Sequence, residues 1–428
     1  MNGSLRRVGT SIRRTILRVV RRDDDRYAVI GAVIVSTFFV GFGGGIVFPI
    51  LPNLGTVIGI SPFLIGLILS ATRFSRLVAN APAGILVDRI GTRTPFLAGM
   101  FVQSFASLGY LVAVVAPAPE VWFLLARLLW GVGSALIFAT AYTIAADVSG
   151  TRSRGTSMGL IRGGVLFGTP TGLVLGGIVS EVAGISVAFL LATLFSVVAS
   201  LTAYVAIPET HVAGGVRDSV KPWDVDTSVS AITVGLINFA VLFVYIGALF
   251  ATLVLFLGAN DISVLGFNEQ GTSGVFMAVT VVAAGVFMFG GGYLSDRQQS
   301  RVPTLVAFLV VTFVGFVLLA YASSLVTMVS ACLFIGAGQG GTSGPLMALL
   351  SDLTPDERMG RAIGTNNVLG DIGAGLGPIV TLPLVDTMGF QLVYLACAAF
   401  PLLATAILLG GIYRETGQFR PAVDMSDQ

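Results

Sequence analysis

The sequence predicts an all-α membrane protein: twelve transmembrane helices in two six-helix, pseudo-symmetric bundles, with both termini cytoplasmic. Three observations lead there. The 428 residues are 55% hydrophobic and 11% charged, with a mean hydropathy of +0.91, whereas soluble domains carry about 25% charge. Apolar runs recur twelve times, each close to the roughly 20 residues a spanning helix needs. Arginine and lysine keep to alternate loops, the pattern of the positive-inside rule. This composition excludes a soluble enzyme and a disordered chain.

Residues 1–26 form a basic cytoplasmic segment with eight arginines. No apolar core follows a short basic start, so it does not read as a signal peptide. Leu5, Val8, Ile12, Ile16, Val19 and Val20 recur at helical spacing between the arginines. That fits either a basic helix on an anionic membrane surface or a disordered tail that fixes topology. Asp23, Asp24 and Asp25 have no second acidic cluster to share a metal, and the one histidine, His211, and two cysteines make no metal set. No cofactor is expected.

The spans fall at 27–51, 62–87, 95–116, 121–146, 157–180, 186–207, 229–257, 271–294, 303–322, 325–350, 360–383 and 389–412. The first six make an N-terminal bundle, 27–207, and the last six a C-terminal bundle, 229–412. A charged linker, 208–228, with Gly214-Gly215 and Pro222, joins them, and 413–428 is a cytoplasmic tail. Arg73, Arg76 and Arg127 lie in spans. The remaining basic residues lie in the N-terminal segment, the even-numbered loops and the tail, or beside them. The opposite loops hold only Glu120, Glu181, Asp261, Glu269 and Asp386 as charges.

The halves repeat. At an offset of 208, Gly84, Asp88, Arg89, Arg93 and Pro95 fall on Gly292, Asp296, Arg297, Arg301 and Pro303. At an offset of 205, Gly131, Gly133, Asp147, Gly168 and Gly172 fall on Gly336, Gly338, Asp352, Gly373 and Gly377. Parallel repeats about an axis along the membrane normal are one design of secondary transporters, with the substrate site between them at mid-membrane.

The loop after span two reads Gly84-Ile-Leu-Val-Asp88-Arg89-Ile-Gly91-Thr-Arg93. It is similar to the G-x-L-x-D-R-x-G-R-[KR] signature of the major facilitator superfamily. The second copy, Gly292 to Arg301 with Asp296 and Arg297, lacks the second glycine, and Arg127-Leu-Leu-Trp-Gly131-Val-Gly133 resembles that family's helix-four motif. The resemblance covers residues 27–414. It implies a cytoplasmic latch for the outward-facing state, in which Asp88 meets the N-terminus of span eleven near Gly360, where anions are favoured. Arg89 and Arg93 are then expected to pair with Asp147. Span five carries Gly164, Gly168, Gly172 and Gly176, a bare stripe for close helix contact. Exporters of the family carry a G-P-x-x-G-G element there, which Gly168-Thr-Pro170-Thr-Gly172 matches only in part.

Charges inside the membrane are functional candidates, since each costs about 2.5–3.5 kcal/mol to insert. Arg73 and Arg76 lie about 22 and 18 Å from Asp88 along span two. Asp371 lies about 16 Å into span eleven, one turn beyond Asn367. Asp371 is the one carboxylate placed deep in the membrane. It is expected either to carry a proton, competing for Arg73 and Arg76 or substrate, or to form a permanent pair between the halves. Arg127 sits in span four, where the resemblance implies a part in proton transfer. Asn238, Tyr245, Gln339, Asn366 and Asn367 are cavity candidates by depth.

These residues point to a monomeric secondary active transporter of small molecules in a prokaryotic plasma membrane, working by alternating access. No phosphate-binding loop is present for ATP, and no nucleic-acid partner is expected. Export of drug-like or hydrophobic compounds against protons is the first expectation. Uptake or exchange of an organic anion is the alternative, because three intramembrane arginines face one aspartate. An intramembrane enzyme would need a catalytic cluster that the spans lack, and a receptor built on this fold would carry large soluble domains.

Overall fold

The computed structural model describes residues 29–148, 154–210, 226–298 and 300–421. The basic segment, most of the linker and the end of the tail lie outside them. Helices account for the regular structure, and no strand occurs among the described residues. In order they are α1 (Val29–Gly45), α2 (Leu51–Ile58), α3 (Pro62–Ile90), α4 (Arg93–Val115), α5 (Pro119–Val148), α6 (Arg154–Val182) and α7 (Ile185–Ala206). Then follow α8 (Val229–Leu242), a π-helical stretch Phe243–Leu249, α9 (Phe250–Ala259), α10 (Glu269–Asp296), α11 (Val302–Ala320), α12 (Leu325–Leu353), α13 (Asp356–Met388) and α14 (Phe390–Thr416). Eleven helical segments among the described residues are long and apolar enough to cross a bilayer, with Val229–Ala259 counted as one.

The expected first span, 27–51, is broken. Helix α1 stops at Gly45, the last of three consecutive glycines, and a turn over residues 46–50 leads into α2. Glycine has the most backbone entropy to lose in a helix, and Pro49 and Pro52 withhold two backbone donors. Elsewhere several helices outrun the expected spans by a few residues: α3 runs on to Ile90 rather than 87, and α13 begins at Asp356 rather than 360.

Short connections make successive spans alternate in direction, which gives the bundle two chemically distinct ends. One, the basic end, carries the arginine-bearing loops around Gly91 and Ser300. The other, the acidic end, carries Glu120, Glu181, Asp261, Glu269 and Asp386.

In lipid there is little hydrophobic drive between helices, so close backbone packing holds them. The glycine stripe of α6 provides it. A methyl group at Gly168 or Gly172 would strike the carbonyl oxygens of Phe38 or Phe42 on α1. The second half repeats the arrangement: Gly373 lies on the Phe239 carbonyl of α8, and Gly377 on Gly247. The repeat offset of 205 therefore corresponds to equivalent packing.

The halves meet chiefly along two helix pairs, α3 with α13 and α6 with α10, with a smaller contact of α2 on α9, and most closely toward the acidic end. There a Cβ on Gly66 would stand 2.6 Å from the Pro378 carbonyl oxygen, and one on Gly177 would stand 2.5 Å from that of Gln270. Leu173 joins the apolar core of the second half, and Ala251 and Leu382 join that of the first. Toward the basic end, Gly84 on α3, Gly360 and Gly364 on α13, Gly159 and Gly163 on α6 and Gly290 and Gly292 on α10 all face open space. The bundle is closed at the acidic end and splayed at the basic end.

Candidate functional site

Helices α3 and α13 run antiparallel across the seam, so residues rising in number on one meet residues falling on the other. Gly66 lies against Pro378 and Ile379, and the Ser70 hydroxyl donates to the Gly375 carbonyl. One turn nearer the basic end, Arg73 and Arg76 of α3 converge on Asp371 of α13. Arg73 Nη1 is 3.3 Å from Asp371 Oδ1, and Arg76 Nη2 donates to the same oxygen. Asp371 is 7% exposed, while each arginine side chain keeps 23% of its surface. The structure thus brings the sequence candidates Asp371, Arg73 and Arg76 together. The three charges leave one net positive charge at the edge of the splayed region. The cluster joins two side chains of α3 to one of α13 and so spans the two halves.

Arg127 does not join it. Its Nη2 donates to the Leu69 carbonyl at 2.8 Å and its Nε to that of Ile68 at 3.4 Å. Its guanidinium lies 5.8 Å from the Phe48 ring centroid, and the Thr72 hydroxyl donates to the Arg127 carbonyl at 3.0 Å. At 3% exposure it ties α5 to α3. The three cavity arginines expected from the sequence are thereby reduced to two, because α3 carbonyls satisfy the third.

The amide and phenol candidates separate too. Asn238 Nδ2 donates to the Asn366 carbonyl at 3.0 Å, which binds α8 to α13. Asn366 is buried, with Nδ2 3.5 Å from Met347 Sδ and Oδ1 without a partner. Asn367 is exposed and Gln339 half-buried. Tyr245 lies on the π-helical stretch, buried, its ring 5.1 Å from that of Phe250. None of the five bonds to Asp371.

At the basic end the loop motif is unlatched. Asp88 and Arg89 are exposed, and Gly84 and Gly360 have nothing packed against them. Gly91 adopts φ 87°, the turn expected of it. The expected Arg93–Asp147 pairing is absent. Arg93 donates from Nε to the Ile207 carbonyl at 2.9 Å and from Nη2 to that of Tyr204 at 3.0 Å, while Asp147 accepts from Thr210 at 3.4 Å. Nearby, the Glu209 carboxylate accepts from the backbone of Thr92 and Arg93 and holds the segment after α7 over the start of α4. No ion pair joins Arg89 to Asp147 among the described residues. In the second copy, Arg301 bridges Asp296 at 2.6 Å and Asp352 at 3.0 Å. Burial pulls the Arg301 guanidinium below its ordinary range, but its hydrogen bonds to Asp352 and Asp296 outweigh this and hold it above. Arg297 lies over the Tyr293 ring, 4.3 Å from its centroid, and Gly292 faces open space.

Sequence reasoning missed an interlock at the acidic end. Glu181 accepts from the backbone of Asn268 and Gly271, Glu269 accepts from Asn53, and Ser180 donates to Gln270. In the sequence Glu181 and Glu269 read only as two of the sparse charges of one set of loops.

A family model described as Major Facilitator Superfamily matches residues 33–378. The chain belongs to this superfamily. Its relatives in the Major Facilitator Superfamily include the multi-drug resistance efflux pump PmrA of Streptococcus pneumoniae, 27% identical over 87% of this chain and 94% of that protein. The class G tetracycline resistance protein of Vibrio anguillarum is 29% identical over 87% of this chain and 91% of that protein. Among solved structures, a bacterial homologue of the human lysosomal transporter Spinster, in an inward-facing and occupied conformation, superposes with a TM-score of 0.75 at 15% identity. It covers 92% of this chain and 98% of the other. The protein is thus a multi-pass membrane transporter of the Major Facilitator fold.

Proposed function

We propose that this Major Facilitator transporter exports drug-like or hydrophobic compounds in exchange for protons, as a monomer in a prokaryotic plasma membrane. In this reading twelve spans form two bundles, 27–207 and 229–412, joined by the linker at 208–228. The basic end faces the cytoplasm, as the positive-inside rule favours, so the arrangement described above is inward-facing.

The observation that carries the reading is the Arg73–Asp371–Arg76 cluster on the seam. Opening the acidic end separates α3 from α13, so the cluster must break in every cycle. A proton and two guanidinium groups compete for one carboxylate. With the arginines drawn away, Asp371 takes a proton from the outer side. When the acidic end shuts, the arginines return and the proton leaves toward the cytoplasm. That order moves protons inward while substrate moves outward. The names of the efflux and resistance relatives support the same direction.

The test uses sealed, energised inverted vesicles with a pH-sensitive dye and a panel of lipophilic cations, then organic anions. Compound-driven dye recovery is expected for the wild type and its loss for Asp371→Asn. Unchanged recovery in that variant overturns the coupling role. Organic anion exchange is the second reading, favoured by the net positive charge of the cluster. Arg73→Gln then abolishes anion movement, whereas transport of lipophilic cations survives it under the first reading.

A further inference from the structure

We propose that Glu181 is a positioning residue of the transport cycle: by capping α10 from the opposite half it clamps the acidic end shut, as the mirror of Asp88 at the basic end. This rests on the alternating-access part of the reading above and not on proton coupling.

A helix N-terminus leaves backbone N–H groups without partners and carries partial positive charge. Helix α10 has Asn268 at its N-cap, and the Asn268 side chain makes no capping bond. The cap comes from the other half. Glu181, at the end of α6, accepts from Asn268 N at 2.9 Å and from Gly271 N at 3.1 Å. Room for the carboxylate depends on glycine: a Cβ at Gly271 would stand 2.6 Å from Glu181 Oε2. Two neighbours reinforce the contact. Ser180 Oγ donates to Gln270 Oε1 at 3.1 Å, and Asn53 Nδ2 on α2 donates to Glu269 Oε1 at 3.0 Å. First-half side chains thus grip four consecutive residues, 268–271, of the second.

The position of Glu181 repeats that of Asp88. Helices α3 and α6 each have 29 residues. Asp88 is third from the end of α3 and Glu181 second from the end of α6. Each helix packs at the seam beside a second-half helix that begins at the face where it ends, α13 for α3 and α10 for α6. Inverted three-helix repeats nested within each half relate α3 to α6 and α10 to α13. In this structure Glu181 is engaged and Asp88 is not. Rocking that brings Asp88 to the start of α13 draws the far ends of the helices apart and pulls Glu181 off α10. The two carboxylates are therefore alternative latches, one for each state, and Glu181 weights the equilibrium toward the state closed at the acidic end.

The test measures distances between spin labels in the full chain reconstituted in lipid nanodiscs, without substrate or gradient. Val115 and Leu265, 80% and 86% exposed at the acidic end of opposite halves, are replaced by cysteine and labelled. The native Cys332 and Cys397 are buried. Glu181→Ala is expected to raise the ratio of long to short distances about tenfold, the scale of losing hydrogen bonds to a charged group. Gly271→Ala, which leaves the carboxylate in place but removes its seat, is expected to do the same. Glu181→Gln keeps one acceptor oxygen without the charge and should fall between. Wild-type distributions in all three variants, in monodisperse protein, would overturn the proposal. Because no proton or substrate enters the measurement, this result is independent of the Asp371→Asn dye assay.

Discussion

Arg301 and Asp352 form, in the second half of the chain, the ion pair that Arg93 and Asp147 do not form in the first. The four residues are equivalent by the internal repeat, so the difference is one of partners. Glu209 and the carbonyls of Tyr204 and Ile207 occupy the region of Arg93. No described residue plays the part of Glu209 beside Arg301. The second copy is consequently a closed structural knot, while the first leaves Asp88 exposed and without an ion-pair partner among the described residues.

That asymmetry predicts unequal tolerance. Asp352→Asn should lower the thermal midpoint of the purified protein by a few degrees, since a hydrogen-bonded charge pair of this kind is worth about 1–2 kcal/mol when one partner is largely buried. Asp147→Asn should leave the midpoint unchanged. Equal shifts in the two variants would argue that the copies are structurally interchangeable.

Arg127 carries a different expectation from Arg73. Its guanidinium is spent on the Ile68 and Leu69 carbonyls and the Phe48 ring. Lysine has no planar fork to reach both carbonyls. Arg127→Lys should therefore reduce stability by about 1.5–3 kcal/mol and leave the preference between cationic and anionic compounds where it was. A changed charge preference at normal stability would place Arg127 in the cavity after all.

The glycine stripe gives a control within one helix. Gly168→Ala forces a methyl group into the Phe38 carbonyl, while Gly163 faces open space. Overpacking typically costs about 1–3 kcal/mol, so Gly168→Ala should depress yield and thermal midpoint and Gly163→Ala should not. Comparing the two variants by fluorescence-detected size exclusion after heating decides it.

Much of this was legible in the sequence because membrane insertion penalises charge. Asp371, Arg73 and Arg76 stand out from apolar runs, and their depths, counted along two helices, already place them within reach. The acidic-end latch was not legible. Glu181 meets backbone N–H groups 87 and 90 residues away, and a backbone donor has no residue signature. The same holds for Arg93 and Arg127, whose partners are carbonyls. The break in the first span was written in Gly43-Gly44-Gly45 and Pro49, but in a chain rich in membrane-tolerated glycine those residues also fit an unbroken helix.

The seam cluster yields the prediction that most directly tests its charge balance. Both arginines address one oxygen of Asp371, so removing either leaves the carboxylate a partner. Removing both leaves an uncompensated charge at a site that is 7% exposed. Breaking a buried pair from one side costs about 3–5 kcal/mol, whereas replacing the whole set by neutral groups is often neutral. The double variant Arg73→Gln with Arg76→Gln should therefore be less stable than the triple variant that adds Asp371→Asn, although the triple has lost one more native residue. Thermal midpoints in one detergent order the variants. If the triple proves the least stable, Asp371 is held by contacts other than its arginines, and the proposal that the cluster forms and breaks with closure of the acidic end loses its support.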